Sequence, residues 1–287
     1  LKKLRHEVES NISNNQVGQA IADHEETISH CPYCGSLELN RWGMTKQGIQ
    51  RFKCKSCFKT FNALADSPLY RMKKAEKWIE YTKLMWEGVS LRKSAKALNI
   101  TLRTSFRWRH MFIKAPASLN PSELTGVIEA DETFLPESFK GKRQIERKSR
   151  KRGGGKIKQV PIFIALDRSG VVSHRVLERN TKENIQAQLK PLLSSGSVLC
   201  TDGNLSYKGI DEELDIDHKR LIGLDNERVI EGIYHIQTLN NYMKRWKGWL
   251  KRFNGIGTDY IENYLSWFRF MEGNKEYSDQ TWIKEAL

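Results

Sequence analysis

The stretch GVIEADETF, Gly126 to Phe134, decides the fold. Val127, Ile128 and Ala130 are strand-like, and Glu129, Asp131 and Glu132 set three carboxylates within four positions. Side chains two apart on a strand share a face. Glu129 and Asp131 therefore point one way and Glu132 the other. A second apolar run ends in the same manner: SVLCTDG, Ser197 to Gly203, where Val198, Leu199 and Cys200 lead to Asp202 and a glycine turn. Two strands that each end in Asp can bring their carboxylates to one sheet edge. A protein without a dedicated cage holds a hard divalent cation such as magnesium in that way. Taken singly, each Asp is better read as a cap after its strand; the pair is what points to a metal. Cys200 faces away from Thr201 and reads as core.

Around these strands the pattern is that of one α/β domain. PASLNP, Pro116 to Pro121, marks a boundary before it. VPIFIALD (160–167) and GVVSHRVL (170–177) read as strands joined by a turn at Asp167 to Gly170. Thr181 is placed to cap an amphipathic helix, KENIQAQLKPLL, ahead of the second Asp strand. The order strand, strand, strand, helix, strand is the beginning of an RNase H-like domain with a mixed sheet. A helical turn (LSYKGI), a further strand (DHKRLIG) and a long helical region follow. Between the first two strands, Lys140 to Lys158 carries ten Lys or Arg against a single Glu. That run reads as a basic loop whose Lys142, Arg143, Lys151 and Arg152 meet a phosphate backbone.

The helical region YHIQTLNNYMKRWKGWLKRF supplies a third arm for the site. It holds no Glu between Glu231 and Glu262, but it has Asn240 and Asn241. An amide oxygen can ligate a hard cation without bringing charge. Helical phase separates the two: seven residues return to within about 20° of the start, so Asn240 shares a face with Lys247 and Asn241 does not. Lys244 lies near the same face and suits DNA phosphate. The plain alternative is a basic amphipathic helix.

Upstream, Cys31, Cys34, Cys54 and Cys57 form two C-x2-C pairs separated by nineteen residues. Each pair puts two thiolates on one side of a tetrahedral zinc ion. The span between them reads as a hairpin, LELNRWG and IQRFKC, turning at Lys46-Gln47-Gly48. The module resembles a zinc ribbon over 29–66, and His30 is not needed as a ligand. Such a ribbon can read DNA, bind protein or staple a small fold. Lys59 to Leu69 reads as a linker. Over 70–115, an apolar helical run from Lys74 to Glu87 stops at Gly88, Ser90 caps a second helix, Asn99-Ile100 turns, and Thr101 caps a third, LRTSFRWRHMF. That is a helix-turn-helix layout, with Arg103, Thr104, Arg107 and Arg109 as exposed DNA readers and Phe106 and Met111 turned to the core. A plain three-helix bundle is the alternative. Residues 1–28 and the tail 274–287 suggest no role.

Composition agrees with a polyanionic partner. The 287 residues carry 48 Lys and Arg against 34 Asp and Glu, a net charge of +14. No apolar run reaches the about 18 residues of a membrane span. Five Cys, four of them paired in sequence, fit a metal site in a reducing, cytosolic compartment rather than a disulfide framework. The expected fold class is α+β and multidomain.

Together, the ribbon, the helix-turn-helix, IEADETF, the strand ending in TDG, and the block HIQTLNNYMKRWKGWLKRFNGIGTDYIENYLSW resemble a bacterial insertion-sequence transposase. The group is the one related to Merlin elements, with a DDE-type nuclease domain in which Asn and Lys follow two Asp. The resemblance covers about residues 28–270 and is most specific over His235 to Trp267. It implies Asp131, Asp202 and Asn240 as the catalytic triplet, holding Mg2+ or Mn2+, with Lys247 as the accompanying cation. It implies a catalytic domain over 122–273 that cuts a strand with activated water and then lets the freed 3′-hydroxyl attack target DNA. The partners implied are terminal inverted repeats and target duplex, with a homodimer or larger assembly on DNA in a nucleoid-associated, cytoplasmic setting. Two readings compete. A DNA-binding regulator would need no metal carboxylates, and a nuclease of RNA hybrids would need no duplex-reading helix.

Overall fold

The computed structural model describes residues 16–46, 48–65, 67–118, 120–142, 144, 158–214, 216–222, 229–274, 283–284 and 286–287. Arg143, Lys151 and Arg152 lie outside them. The chain divides into two compact units, Leu1–Ser118 with Asn274–Leu287, and Leu119–Gly273. Among the described residues no helix is long and apolar enough to cross a membrane.

In the first unit a helix α1 over 16–27 precedes a three-stranded antiparallel sheet. Its strands are β1 (Leu39–Met44), β2 (Gln50–Cys54) and β3 (Thr60–Asn62), in that order. The first hairpin turns through Gly48, whose φ of 80° favours a residue without a side chain. The expected linker after Lys59 is instead part of this sheet. Thr60, Phe61 and Asn62 pair with Lys53, Phe52 and Arg51. Phe61 stacks on Phe52 with 5.6 Å between ring centroids, and Leu64 and Leu69 are buried. Three residues are too few for an alternation to announce a strand.

Helices α2 (Trp78–Trp86), α3 (Leu91–Ala97), α4 (Leu102–Phe112) and the short α5 (Ala115–Ser118) complete the unit. Gly88 ends α2 with a φ of 73°. Ser90 Oγ accepts from the Lys93 N–H at 3.4 Å and Thr101 Oγ1 from the Thr104 N–H at 3.1 Å, so both caps stand where the sequence placed them. Tyr81 packs edge-on to Trp108 at 5.3 Å and Trp78 edge-on to Phe112, which ties α2 to α4.

The second unit is built on a mixed sheet. Its strands are β4 (Val127–Pro136), β5 (Gln159–Asp167), β6 (Val172–Val176), β7 (Val198–Asp202) and β8 (Asp217–Leu221), in the order β6-β5-β4-β7-β8. β6, β5 and β4 are antiparallel neighbours, while β4, β7 and β8 run parallel. Parallel neighbours need a crossover; α6 (Lys182–Leu189), capped by Thr181, precedes β7, and α7 (Ile210–Leu214) precedes β8. One sheet face packs Ile128, Ala130, Phe163 and Leu199 against Ile185 and Leu189 of α6 and against Tyr207. On the other face α8 (Gln237–Leu250) lies against β4 and β5, and α9 (Ile261–Gly273) against β6. Trp249 of α8 meets Trp267 of α9 edge-on at 5.0 Å.

Beyond β4 the chain is clamped. The Glu137 N–H donates to the Lys158 carbonyl at 2.8 Å, and the two side chains form an ion pair at 3.0 Å. Lys140 Nζ donates to the carbonyls of Phe253 and Gly255, both at 2.7 Å, just past the end of α8. A Cβ on Gly257 would stand 3.0 Å from the Lys140 carbonyl, so any side chain there would push that backbone back by a few tenths of an ångström.

Candidate active site

β4 and β7 pair in parallel with Glu129 beside Cys200 and Ala130 beside Thr201. One step further along both strands, Asp131 and Asp202 stand level at the carboxyl end of β7. Residues 129, 131, 200 and 202 share the sheet face that α8 covers, because alternate residues share a face. Burial pushes the Asp131 carboxyl up to about 6; the Glu132 N–H and Lys247 pull it down, and the charge of Asp202 pushes it up further. The Glu132 N–H donates to Asp131 Oδ1 at 2.7 Å, and the Asn204 N–H to Asp202 Oδ1 at 2.9 Å. Two adjacent, partly buried carboxylates with one nearby cation can offer oxygen ligands to a hard divalent ion, which would relieve their mutual repulsion.

Glu132 faces the opposite side. Its carboxylate accepts from the Tyr207 hydroxyl and, at 3.3 Å, from Asn204 Nδ2. Burial raises Glu132 to about 7 despite the Tyr207 bond.

Helix α8 brings the other expected groups. Leu239, Tyr242, Met243, Trp246, Trp249 and Leu250 are its buried residues. At about 100° per residue, Asn240 and Lys247 lie together just outside one border of that buried arc. Lys247 is near enough to lower the Asp131 carboxyl, so this border faces the carboxylates. Asn241 falls on the solvent side of the helix. Asn240, Lys244 and Lys247 are all exposed.

Sequence reasoning assigned no role to Glu129, although it set it on the correct face. Glu129 is fully buried. Its Oε2 accepts from the Leu239 N–H at 2.8 Å, and Oε1 lies 3.1 Å from Arg168 Nη2 and 3.5 Å from His235 Nδ1. His235 Nδ1 also accepts from the Gln237 N–H at 3.2 Å. A helix start leaves amide donors unsatisfied and favours negative charge. Glu129 supplies both needs for α8, at the residue just before Asn240. A carboxylate set between Ile128 and Ala130 in a central strand was the available signal, since a buried charge must be paired. Cys200 is fully buried beside it; burial first, then Glu129, lifts its thiol to about 11.

In the first unit the four cysteine sulfurs lie within 4.8 Å of one another. Cys31 and Cys57 Sγ are 3.7 Å apart and Cys34 and Cys54 Sγ 3.6 Å, too long for disulfides. The two knuckles match: the Gly35 N–H donates to the Cys31 carbonyl at 2.9 Å and the Phe58 N–H to the Cys54 carbonyl at 3.1 Å. Both closing residues are left-handed, with φ of 72° and 59°. Backbone N–H groups of Cys57 and then Ser56 draw the Cys54 thiol down to about 6, which favours the thiolate that binds metal.

On α4, Arg103 and Arg107 are exposed. Thr104 is half-buried, and its Oγ1 lies 2.8 Å from Thr101 Oγ1 within the cap. Arg109 is not an exposed reader. It is 1% exposed, and its Nη2 donates to the Val89 carbonyl at 2.6 Å. Its phase, four residues after buried Ser105, puts it on the inner arc with Trp108 and Phe112. Phe106 is 41% exposed rather than core, with the His110 ring tilted against it at 4.3 Å, because it falls about 60° outside that arc. Lys142 is exposed and pairs with Asp259 at 2.8 Å.

Residues 123–273 match the family described as ISXO2-like transposase domain. The chain is 26% identical to an uncharacterized protein in transposable element ISH50 of Halobacterium salinarum, over 84% of each chain. It is 30% identical to the insertion element iso-IS1N protein InsA of Shigella dysenteriae, over 27% of this chain and 83% of that one. Among solved structures, a Mos1 transposase paired-end complex with left transposon end aligns over 73% of this chain and 74% of that one, at 13% identity and a TM-score of 0.30.

Proposed function

The chain belongs to the ISXO2-like transposase family, and on that premise we propose that it binds the terminal inverted repeats of its element, cleaves DNA there and transfers the freed strand to a target duplex. The observation that carries the chemistry is the level pair Asp131 and Asp202 on adjacent parallel strands beneath α8. In this reading 122–273 is an RNase H-like catalytic domain, 70–115 a helix-turn-helix and 29–66 a zinc ribbon held by Cys31, Cys34, Cys54 and Cys57.

Asp131 and Asp202 would hold Mg2+ or Mn2+, with the Asn240 amide oxygen completing the set or orienting the substrate. When bound, such cations stabilise both the entering and the leaving oxygen of an in-line displacement at phosphorus. Lys247 sets a cation beside them, where it attracts the phosphate being cut and offsets charge on Asp131. Glu129 fixes the start of α8, and with it the phase of Asn240 and Lys247. Strand transfer from a labelled repeat end into plasmid is the test. Metal-dependent joined product is expected; its absence with both Mg2+ and Mn2+, while the repeat is still bound, would favour a DNA-binding regulator.

Two further outcomes are expected. Asn240→Ala should slow transfer, but less than loss of either Asp, because water can replace a neutral ligand. Asn241→Ala should be near wild type; the reverse ranking in the same assay would put Asn241, not Asn240, at the site. Arg103→Ala or Arg107→Ala should weaken binding to the repeat. These residues are four apart on α4 and project together. A base-specific contact is worth about 1–3 kcal/mol. Affinities for both variants equal to wild type across a salt series would remove α4 from recognition.

A further inference from the structure

The first unit contains a cleft of about 670 Å³ between the Arg71–Lys74 loop and α4. Arg71, Lys73 and Lys74 line one wall, and Arg103, Arg107 and Lys114 line the other, with no carboxylate between them. All six are exposed. Among the described residues none of the six is paired with an acid. Facing like charges across one open volume costs free energy that an incoming polyanion would recover.

The loop is held for this display. Arg71 and Lys74 have left-handed φ of 58° and 63°, a conformation that side-chain-bearing residues adopt at a cost and that clusters at functional sites. The Trp78 Nε1–H donates to the Lys73 carbonyl at 3.3 Å, which pins the turn to the start of α2. Exposed Phe106 stands at the lip with His110 packed on it. Burial, with Arg109 and Lys114 nearby, lowers His110 to about 4, so the lip offers a neutral surface for a sugar rather than a further charge.

We infer that this cleft, through Arg71, Lys73, Lys74 and Lys114, is a contact for the sugar-phosphate backbone of duplex DNA beside the base-reading Arg103 and Arg107 of α4. The inference rests on the reading of the chain as a DNA-binding transposase. Those four charges, spread over two walls, exceed what a small anion needs, and they adjoin Arg103 and Arg107. A backbone contact adds affinity for all sequences alike, whereas base contacts set specificity.

The experiment uses the full chain with Lys73→Gln/Lys74→Gln, and two labelled duplexes: the repeat flanking the gene and a scrambled version of it. Binding is measured over a salt series. Each phosphate contact contributes about 0.9 to the slope of log K against log salt, so the double variant should flatten the slope by about 1.8 for both duplexes. The ratio of the two affinities and the thermal melt should not change. Lys114→Gln alone, on the opposite wall, should flatten it by about 0.9. An unchanged slope in both variants, with Arg103→Ala still weakening the repeat, would overturn the cleft and leave the reader helix standing. A loss confined to the repeat duplex would also overturn it, since the loop would then read bases. If the wild-type chain binds neither duplex, the DNA-binding reading fails first and the cleft with it.

Discussion

Asp202→Asn, and separately Asp131→Asn, should abolish strand transfer while leaving repeat binding intact. Each change is nearly isosteric, so the sheet need not adjust. Each removes one of two charges that stand level on β4 and β7. Asp131 is already pushed up to about 6 by burial, and then by Asp202, despite Lys247. A divalent cation would relieve this repulsion, and losing either charge would weaken the hold on it. The expected loss is at least about 10³-fold, the scale seen when a member of a catalytic constellation is removed. Repeat binding should survive because the proposed readers, Arg103 and Arg107, belong to the other compact unit. A gel assay of labelled repeat ends with Mg2+ and with Mn2+ reads both properties. Wild-type transfer by Asp202→Asn would mean that the catalytic centre lies elsewhere.

Metal removal should have the next largest effect, on the fold of the cysteine module. Its buried core is Cys31, Phe52, Cys54 and Phe61, so two of the four core residues are themselves sulfur donors. A core this small cannot hold a sheet unaided. Structural zinc contributes about 10–16 kcal/mol of apparent binding free energy in small zinc modules near neutral pH. Protein purified under reducing conditions should carry one zinc per chain. Chelation, or Cys54→Ser, should unfold 29–65 and open it to protease, while residues 119–273 keep their melting transition. A metal-free chain whose ribbon resists protease would sink this expectation.

The sequence made the strand endings, the caps and the cysteine knuckles legible because each is a local pattern. Ser90, Thr101 and Thr181 cap through a bond three residues away, and the apolar starts of GVIEADETF and SVLCTDG both run into an acid. Three features escaped because they are set at a distance. Glu129 acquires its role only when Leu239, 110 residues later, brings an amide to it. Arg109 looks like its neighbours Arg103 and Arg107 until Val89 offers it a carbonyl. β3 is three residues long and exists because Phe52 is there to stack on.

The clamp at the end of β4 has a bearing on how this lineage can change. Glu137 and Lys158 are joined by backbone and by charge, and Lys140 is moored to the turn after α8. Residues 137–140 and 158 are therefore held in place by contacts of their own. Once its ends are held, a segment can double in length at a cost of only about 0.6 kcal/mol. A longer or shorter chain between 140 and 158 should therefore leave the register of β4 against β7 where it is.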